Sequence, residues 1–395
     1  MPPVALHAPV AVTGAGSPRI LRVTELRDAP TVVRSTHALI VSDGVPTEVD
    51  GFGAILWRRA ACATSVPPAG TLSAVLPGEL DYVAAGDILR IDPTSQHVRV
   101  LYRRSSPYNS LLVTERCNSK CLMCSQPPVA RDDGYLVEEL LRAVPLMSRS
   151  TAEIGITGGE PTLLGENLFR LLRALRDCLP RTSVHLLSNG RRFQQLDLAR
   201  RLADVRHPDL VLGIPLYADV AERHDYVVQA HGAFDETIRG LLNLGRFKQR
   251  IELRVVLHKQ TIDRLPDLAR YITRNLPFAE HVALMGLELM GYARPNLELL
   301  WMDPAEYQEP LAAAVHSLDR AGLTVSIYNS QLCVMAPELW PFAKSSISDW
   351  KRLYLPECDG CAVRHQCGGF FGSSSLRRSA HIRPIPVSEP TVGCK

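Results

Sequence analysis

LLVTERCNSKCLMCSQPP, residues 111–128, joins a short apolar run to a tight group of cysteines. Leu111–Thr114 has the character of a buried strand, and Cys117, Cys121 and Cys124 follow it at Cys-x3-Cys-x2-Cys spacing. Five similar runs come after it: Glu153–Thr157, Val184–Leu187, Leu210–Pro215, Leu253–Leu257 and Val282–Leu287. Helix-period stretches lie between them. Leu168, Leu171, Leu172, Leu175 and Leu179 fall on one helical face, as do Leu265, Leu268, Ala269, Ile272 and Leu276. Strands alternating with one-faced helices imply right-handed βα units. The expected fold is therefore α/β, with a partial (β/α)6 barrel whose first strand delivers the cysteines. The carboxyl ends of parallel strands are where such folds place their chemistry.

The flanks read differently. Residues 1–105 are punctuated by Pro and Gly and carry short β-type runs at Ala38–Val41, Asp87–Ile91 and Val98–Tyr102. They predict a small β-rich N-terminal domain. The barrel is expected over 106–300. Residues 301–395 form a third part, with a helix from Asp303 to Arg320, a strand over Leu323–Tyr328 and an irregular Cys-, Pro- and Gly-rich end.

Composition narrows the function classes. The chain has 395 residues, 46% hydrophobic and 22% charged, with net charge +3, which suits a soluble protein with a sizeable core. Arg191-Arg192 and Arg377-Arg378 read as solvated surface, so charge gives no sign of a nucleic-acid partner. No apolar stretch reaches the ~18 residues of a membrane span. The N-terminus lacks a basic start followed by an apolar core, and the expected location is cytoplasmic. Of the ten cysteines, six fall in two tight groups, a pattern of metal or cluster binding rather than of disulfides.

Three thiolates on one loop suit the corners of an iron–sulfur cube and leave one iron without a protein ligand. A structural zinc loop and incidental buried thiols are the other readings, although zinc takes four ligands and no histidine lies nearby to complete them. Further on, Gly158-Gly159-Glu160-Pro161 closes the second strand; two glycines permit close backbone approach. Ser188-Asn189-Gly190 ends the third strand and Pro215-Leu216-Tyr217 the fourth. Arg254 lies on the fifth, and Gly286-Leu287-Glu288 ends the sixth. The second cysteine group, ECDGCAVRHQCGGFFGS (357–373), spaces Cys358, Cys361 and Cys367 as Cys-x2-Cys-x5-Cys. Cys62 and Cys178 read as ordinary core thiols.

The first loop, with Met123 before its last cysteine and Gly158-Gly159-Glu160 following in order, resembles the cluster motif of the radical S-adenosylmethionine (SAM) superfamily. The resemblance implies a 4Fe–4S cluster on Cys117, Cys121 and Cys124, chelated by SAM through its amino and carboxylate groups. One-electron cleavage of SAM would give methionine and a 5′-deoxyadenosyl radical that abstracts a substrate hydrogen. It further implies SAM contacts at Met123, Gly158, Gly159, Glu160, Ser188, Asn189, Tyr217, Arg254 and Leu287. Arg254 fits an ion pair equally well. His224-Asp225-Tyr226, with Gly232 and Phe234, resembles a loop found after the fourth strand in many members; His224 reads as a loop-ordering residue there, and no catalytic acid or base stands out.

The second group resembles the SPASM or twitch extension that carries auxiliary 4Fe–4S clusters. Its pattern breaks at Phe371, where a further cysteine is expected. One auxiliary cluster is implied, on Cys358, Cys361, Cys367 and Cys333, with Cys394 as the alternative to Cys333 and a zinc knuckle as the alternative to the cluster.

Several runs narrow the resemblance further: residues 110–128, 154–165, 213–219, 224–244, 275–288, 346–351 and 367–373. Together they resemble the radical SAM maturases of His-Xaa-Ser peptide systems, related to peptide cyclopropyl synthases. This implies a ribosomally made precursor peptide as substrate, and oxidative carbon–carbon bond or crosslink formation, for example cyclopropylglycine from valine. A flavodoxin- or ferredoxin-type reductant is the expected protein partner, with no membrane or nucleic-acid partner. The N-terminal β-rich segment either binds the precursor by strand pairing or caps the barrel. A radical SAM enzyme acting on a small molecule or a protein Ser or Cys, and a non-enzymatic metal scaffold, are the other classes.

Overall fold

Two eight-stranded sheets hold the regular structure of the chain. The computed structural model describes residues 5–42, 49–58, 71–345 and 353–386. The expected core thiol Cys62, the alternative ligand Cys394 and the run 346–351 lie outside the described residues.

The first sheet contains β1 (His7–Pro9), β2 (Val12–Thr13), β3 (Arg19–Thr24), β4 (His37–Val41), β5 (Ala54–Arg58), β6 (Ser73–Leu76), β7 (Ile88–Asp92) and β8 (His97–Tyr102). Its order is β1-β8-β7-β3-β4-β5-β6-β2. The strands β3 to β6 run parallel, and β7, β8, β1 and β2 pair antiparallel at the flanks. Central strands β4 and β5 are buried on both faces because separate apolar clusters cover them, one around Ala38, Ile40 and Leu56, the other around Leu39, Ile55 and Trp57.

The second sheet runs β9 (Tyr108–Thr114), β10 (Glu153–Gly158), β11 (Ser183–Leu187), β12 (Leu210–Pro215), β13 (Arg250–Leu257), β14 (His281–Gly286), β15 (Thr324–Tyr328) and β16 (Ala343–Lys344). Spatial order equals chain order, and every pair is parallel. Each strand therefore needs a crossover. Helical crossovers include α1 (Tyr135–Ala143), α2 (Glu166–Cys178), α3 (Leu196–Asp204), α4 (Ala233–Arg246), α5 (Leu265–Asn275) and α6 (Gln308–Arg320). Leu168, Leu171, Leu172 and Leu175 of α2 bury one stripe against the sheet, as their spacing predicts.

The sheet is longer than the six strands expected. The strand at Thr324–Tyr328, assigned from sequence to a separate third part, pairs with β14 and extends the same sheet. The reason is helix α6, whose Leu311, Val315 and Leu318 join the common core and bring the chain back alongside β14. Among the described residues, no helix is long and apolar enough to cross a membrane. The two sheets are tied by Glu139 of α1, which is buried and salt-bridged to Arg90 of β7 and Arg99 of β8.

Ile251, Leu253 and Val255 of β13 join the helix-packed core, so Glu252 and Arg254 face the other side of the sheet. There Glu252 accepts from His281 Nδ1 at 2.7 Å and from Arg254 Nη1 at 2.7 Å. His281 Nε2 in turn meets Ser326 Oγ at 2.9 Å. Burial alone raises the Glu252 pKa. The hydrogen bond from His281 and the charges of Arg254 and His185 outweigh it and hold the carboxyl down at about 2. A carboxyl lowered on folding stabilises above its unfolded pKa and loses that contribution as pH falls toward the folded value. The stability gap between wild type and Glu252→Gln should thus be full at pH 6. It should shrink as pH falls from about 4.5 to about 2, read from denaturant midpoints. A gap that stays constant over that range rules out the buried carboxylate as its source.

Candidate functional site

The cysteine loop is built on the end of β9 and fastened from every neighbouring strand end. Asp133, fully buried, accepts from Thr114 Oγ1 at 2.8 Å, the Glu115 amide at 2.6 Å and Arg116 Nε at 3.1 Å. That sets the chain direction just before Cys117. From β10, the Gly159 amide donates to the Thr114 carbonyl at 2.8 Å and the Glu160 amide to the Arg116 carbonyl at 2.8 Å. No side chain fits there: a Cβ on Gly158 would lie 2.2 Å from the Thr114 carbonyl oxygen, and one on Gly159 2.1 Å from that of Arg116. The close approach that the two glycines permit is thus an approach to the cysteine loop itself.

From β11, Arg191 reaches the loop through Nη1, at 2.6 Å from the Asn118 carbonyl and 3.1 Å from Ser119 Oγ. Asn189 Nδ2 donates to Asn118 Oδ1 at 2.6 Å and lies 4.0 Å from Cys117 Sγ. The amides of Lys120 and Leu122 donate to the Val228 and Val227 carbonyls. The far end is held by the turn after β14, where the Tyr292 amide donates to the Cys124 carbonyl at 2.8 Å and Asn296 Nδ2 to the Leu122 carbonyl at 2.9 Å.

Burial, followed by the adjacent Cys124 and Cys117 thiols, pushes Cys121 up to about 12. Burial likewise raises Cys117 and Cys124. Such a site ionises when a cationic centre takes the place of the protons. Among the described residues, no three Cys, His, Asp or Glu side chains converge on a single ion. A group of thiols with no histidine among them, close enough to raise one another's pKa, fits a cluster larger than one ion.

The other expected SAM residues surround this loop. Glu160 is fully buried; its Oε1 accepts from Ser188 Oγ, the Thr162 amide and Thr162 Oγ1, and its Oε2 from the Asn189 amide at 2.6 Å. It is first a strut joining the ends of β10 and β11, and its charge also raises Cys117. Met123 and Tyr217 are buried in one apolar cluster, with Leu287 packed against it. Tyr217 stacks on His224 with ring centroids 5.8 Å apart, and its amide donates to His224 Nδ1 at 3.3 Å. His224, buried, orders this loop as expected. Asp225 completes it by accepting from the Gly232 and Phe234 amides. Arg254 takes the ion-pair alternative, bonded to Glu252 and placed 3.2 Å from Met285 Sδ.

Cys333, Cys358, Cys361 and Cys367 line a single cavity of about 320 Å³ that is partly open to solvent. Backbone amides point at its sulfurs: that of Ile385 lies 3.4 Å from Cys361 Sγ, and that of Arg383 bonds Cys333. Tyr354 secures the loop between Cys361 and Cys367 through its hydroxyl, which donates to the Arg364 and Cys367 carbonyls at 2.9 and 3.0 Å. Burial, and then the charges of Cys367 and Cys358, raise Cys333. Four thiols around one apolar-walled space suit a second thiolate-ligated centre.

A larger cavity, about 620 Å³ and also partly open, adjoins the four-cysteine cavity. Leu257, Gly286 and Leu287 of the β13 and β14 ends line one part of it. Gln331 and Phe370 line another part and also wall the four-cysteine cavity. Of the two arginine pairs read as solvated surface, Arg191-Arg192 departs from that expectation, while Arg378 is exposed and Arg377 half-buried. Arg191 is largely buried against the cysteine loop, Arg192 Nη1 donates to the Thr162 carbonyl, and Arg377 and Arg378 line the larger cavity. Asp133 was missed from sequence because it lies in no spaced motif, Asn118 because it is one of the unspecified positions between Cys117 and Cys121, and Arg191 was read as surface although it directly follows Ser188-Asn189-Gly190.

Gly159→Ala is expected to destabilise the chain by roughly 3 kcal/mol, since the new methyl meets a backbone oxygen that cannot step aside. It should also lower iron and sulfide uptake at the first site in anaerobic reconstitution, whereas Gly78→Ala, whose Cβ would meet only the Asp81 carboxylate at 3.8 Å, should leave that uptake unchanged. Equal iron and sulfide contents in the two variants would contradict the packing argument.

The radical SAM superfamily model matches residues 111–272. Among curated proteins, a GTP 3',8-cyclase of Peptoclostridium acidaminophilum is 28% identical over 145 residues, 35% of this chain and 43% of that protein. Molybdenum cofactor biosynthesis protein 1 of Bos taurus is 26% identical over 194 residues, 47% of this chain and 29% of its own length. The chain thus spans less than half the length of these curated relatives. Among solved structures, Streptococcus suis SuiB is similar with a TM-score of 0.47 and 17% identity, over 60% of this chain and 52% of that one. A radical SAM methyltransferase from Sphaerobacter thermophilus gives a TM-score of 0.42 and 19% identity, over 63% and 74%. Likenesses at that level carry no weight for function. The family match falls on the segment from Leu111 to Ile272, which carries the three-cysteine loop and the strand ends around it, so that segment is similar to the radical SAM superfamily.

Proposed function

We propose that this chain is a radical SAM enzyme that matures a ribosomally made peptide by oxidising a side chain, with a carbon–carbon bond or crosslink as the product class. The observation that carries the reading is the cavity that touches the β13 and β14 ends on one side and shares Gln331 and Phe370 with the four-cysteine cavity on the other. A substrate held there would lie beside the four-cysteine cavity, at strand ends of the sheet whose first strand leads into the three-cysteine loop. Oxidative ring closure removes two hydrogens and two electrons, so a second electron-accepting site beside the substrate suits that chemistry.

Cys117, Cys121 and Cys124 would hold one 4Fe–4S cluster, and Cys333, Cys358, Cys361 and Cys367 a second. When bound, the first cluster and SAM supply one-electron cleavage that yields a hydrogen-abstracting 5′-deoxyadenosyl radical. The chain's own residues do the positioning. Asn189 and Arg191 brace the loop that carries the thiols, and Glu160 fixes the turn bearing Asn189. Tyr217, held by His224, closes the apolar side near Met123. The amides of Ile385 and Arg383 supply hydrogen bonds to sulfur, a device that tunes the potential of thiolate clusters. SAM contacts at Met123, Gly158, Gly159, Glu160, Ser188, Asn189, Tyr217, Arg254 and Leu287 belong to this proposal, as do the three-part division of the chain, an external reductant protein and a cytoplasmic location. A second reading, radical chemistry on a small molecule, draws on the 145-residue match to a GTP 3',8-cyclase.

Anaerobic reconstitution should give about eight irons per chain with matching sulfide. Incubation with SAM, a reductant and a candidate precursor peptide should then produce deoxyadenosine and a peptide two hydrogens lighter at one residue, read by tandem mass spectrometry. Deoxyadenosine with no mass change in any candidate peptide would sink the peptide reading. Replacing Cys117, Cys121 and Cys124 by Ala should abolish SAM cleavage. Cys358→Ala should keep measurable deoxyadenosine formation, drop iron to about four per chain and lose the peptide product.

A further inference from the structure

The larger cavity beside the four-cysteine site is charged in one sense only. Arg377 and Arg378 are the charged side chains in its lining, and no acidic residue lines it among the described residues. The remaining wall is largely apolar and aromatic, with Trp301, Phe370 and Leu289 prominent.

Both arginines are paired with carboxylates that lie outside this lining. Arg377 Nη2 is 2.6 Å from Glu298 Oε1, and Arg378 Nη2 is 3.1 Å from Glu357 Oε1. Those partners are surface groups, the Glu298 side chain 80% exposed and that of Glu357 44%. Exposed pairs of this kind contribute little and exchange readily with another carboxylate. The arginines themselves are well placed. Arg377 lies over the Trp301 ring, 5.2 Å from its centroid. The segment that follows is pinned by buried Asp303, which accepts from the Ala380 amide at 3.2 Å through Oδ2 and from the Ala305 amide at 3.0 Å through Oδ1. A rigid ledge thus presents two planar, permanently charged forks to an apolar hollow.

We propose that this cavity is a specificity subsite for a peptide carboxylate adjacent to an apolar residue, with Arg377 and Arg378 holding the carboxylate and Trp301 and Phe370 packing the neighbouring side chain. The inference rests on the peptide reading above and adds the sequence character of the peptide. Guanidinium forks match carboxylates in bidentate geometry, and the apolar surroundings strengthen that contact. Holding the carboxylate at the ledge fixes the register of the peptide, and so which residue lies beside the four-cysteine site. The carboxylate comes either from an Asp or Glu side chain or from the peptide's own terminus.

Binding to the reconstituted full-length chain, measured by anaerobic calorimetry without reductant, tests this apart from turnover. Three probes suffice: Ac-Gly-Ala-Val-Asp-Gly-NH2, its Asn analogue, and the Asn analogue with a free terminal carboxylate. At least one acidic probe should bind about tenfold tighter than the neutral amide. Whichever does so identifies the source of the carboxylate. The advantage should fall with added salt and disappear in R377Q/R378Q, while the affinity of the neutral probe stays the same. R377K/R378K, which keeps the charge and loses the fork, should retain part of the advantage; it carries the test if the glutamine pair does not fold. Equal binding of all three probes, or an advantage untouched by either variant, overturns the subsite and leaves the peptide reading standing. Failure of every probe to bind, together with no modified peptide, overturns both.

Discussion

One contact sets the geometry of the first site: two glycine Cα atoms at the end of β10 lie flat against the backbone of Thr114–Cys117. With a Cβ of Gly159 only 2.1 Å from the Arg116 carbonyl oxygen, the two chains are as close as peptide groups pack. The Gly159 and Glu160 amides use that proximity to bond the Thr114 and Arg116 carbonyls. The cysteine loop therefore leaves β9 in one direction, and everything beyond it depends on that direction. Arg191, Asn189, the Val227–Val228 carbonyls and the Tyr292 amide can all reach the loop because its root is fixed.

Around that contact the polar groups are used up locally. Asp133 spends its carboxylate on Thr114, Glu115 and Arg116, and Glu160 spends most of its own on Thr162, Ser188 and Asn189. A buried carboxylate without such partners would be costly. Satisfied, each one rigidifies a turn at a strand end. The cysteines by contrast remain without charged partners of opposite sign strong enough to ionise them, so burial keeps the thiols protonated until a cationic centre arrives. Structural bracing and the capacity to ligate are thus divided between different residues of the same loop region.

The far side of the sheet shows the same division on a larger scale. The helix-facing positions of β13 are aliphatic, while Glu252 and Arg254 join His281 and Ser326 in a polar network on the opposite face. Beyond the strand ends, the apolar hollow bordered by Leu257 and Leu287 meets the cysteine-rich segment at Gln331 and Phe370. Because β15 extends the parallel sheet, the helical turn carrying Cys333 stands directly after a strand of that sheet. The second thiol site is joined to the first through one continuous sheet.

The sequence by itself determined the alternation of buried strands and one-faced helices, the strand that bears the cysteines and the order of the motifs at successive strand ends. These signals are local, carried by periodicity and by cysteine and glycine spacing within about twenty residues of each other. Cys333 was legible as a companion of Cys358, Cys361 and Cys367 only through counting and resemblance, since a long stretch of chain separates it from them. The tertiary structure decided the rest. It alone placed β15 in the long parallel sheet, turned Arg254 toward Glu252, and brought Arg191 onto the cysteine loop. It alone placed Arg377 and Arg378 in the wall of a cavity. An arginine looks the same in sequence whether water or a buried carbonyl takes its hydrogen bonds, because the partner is chosen by packing between segments far apart in the chain.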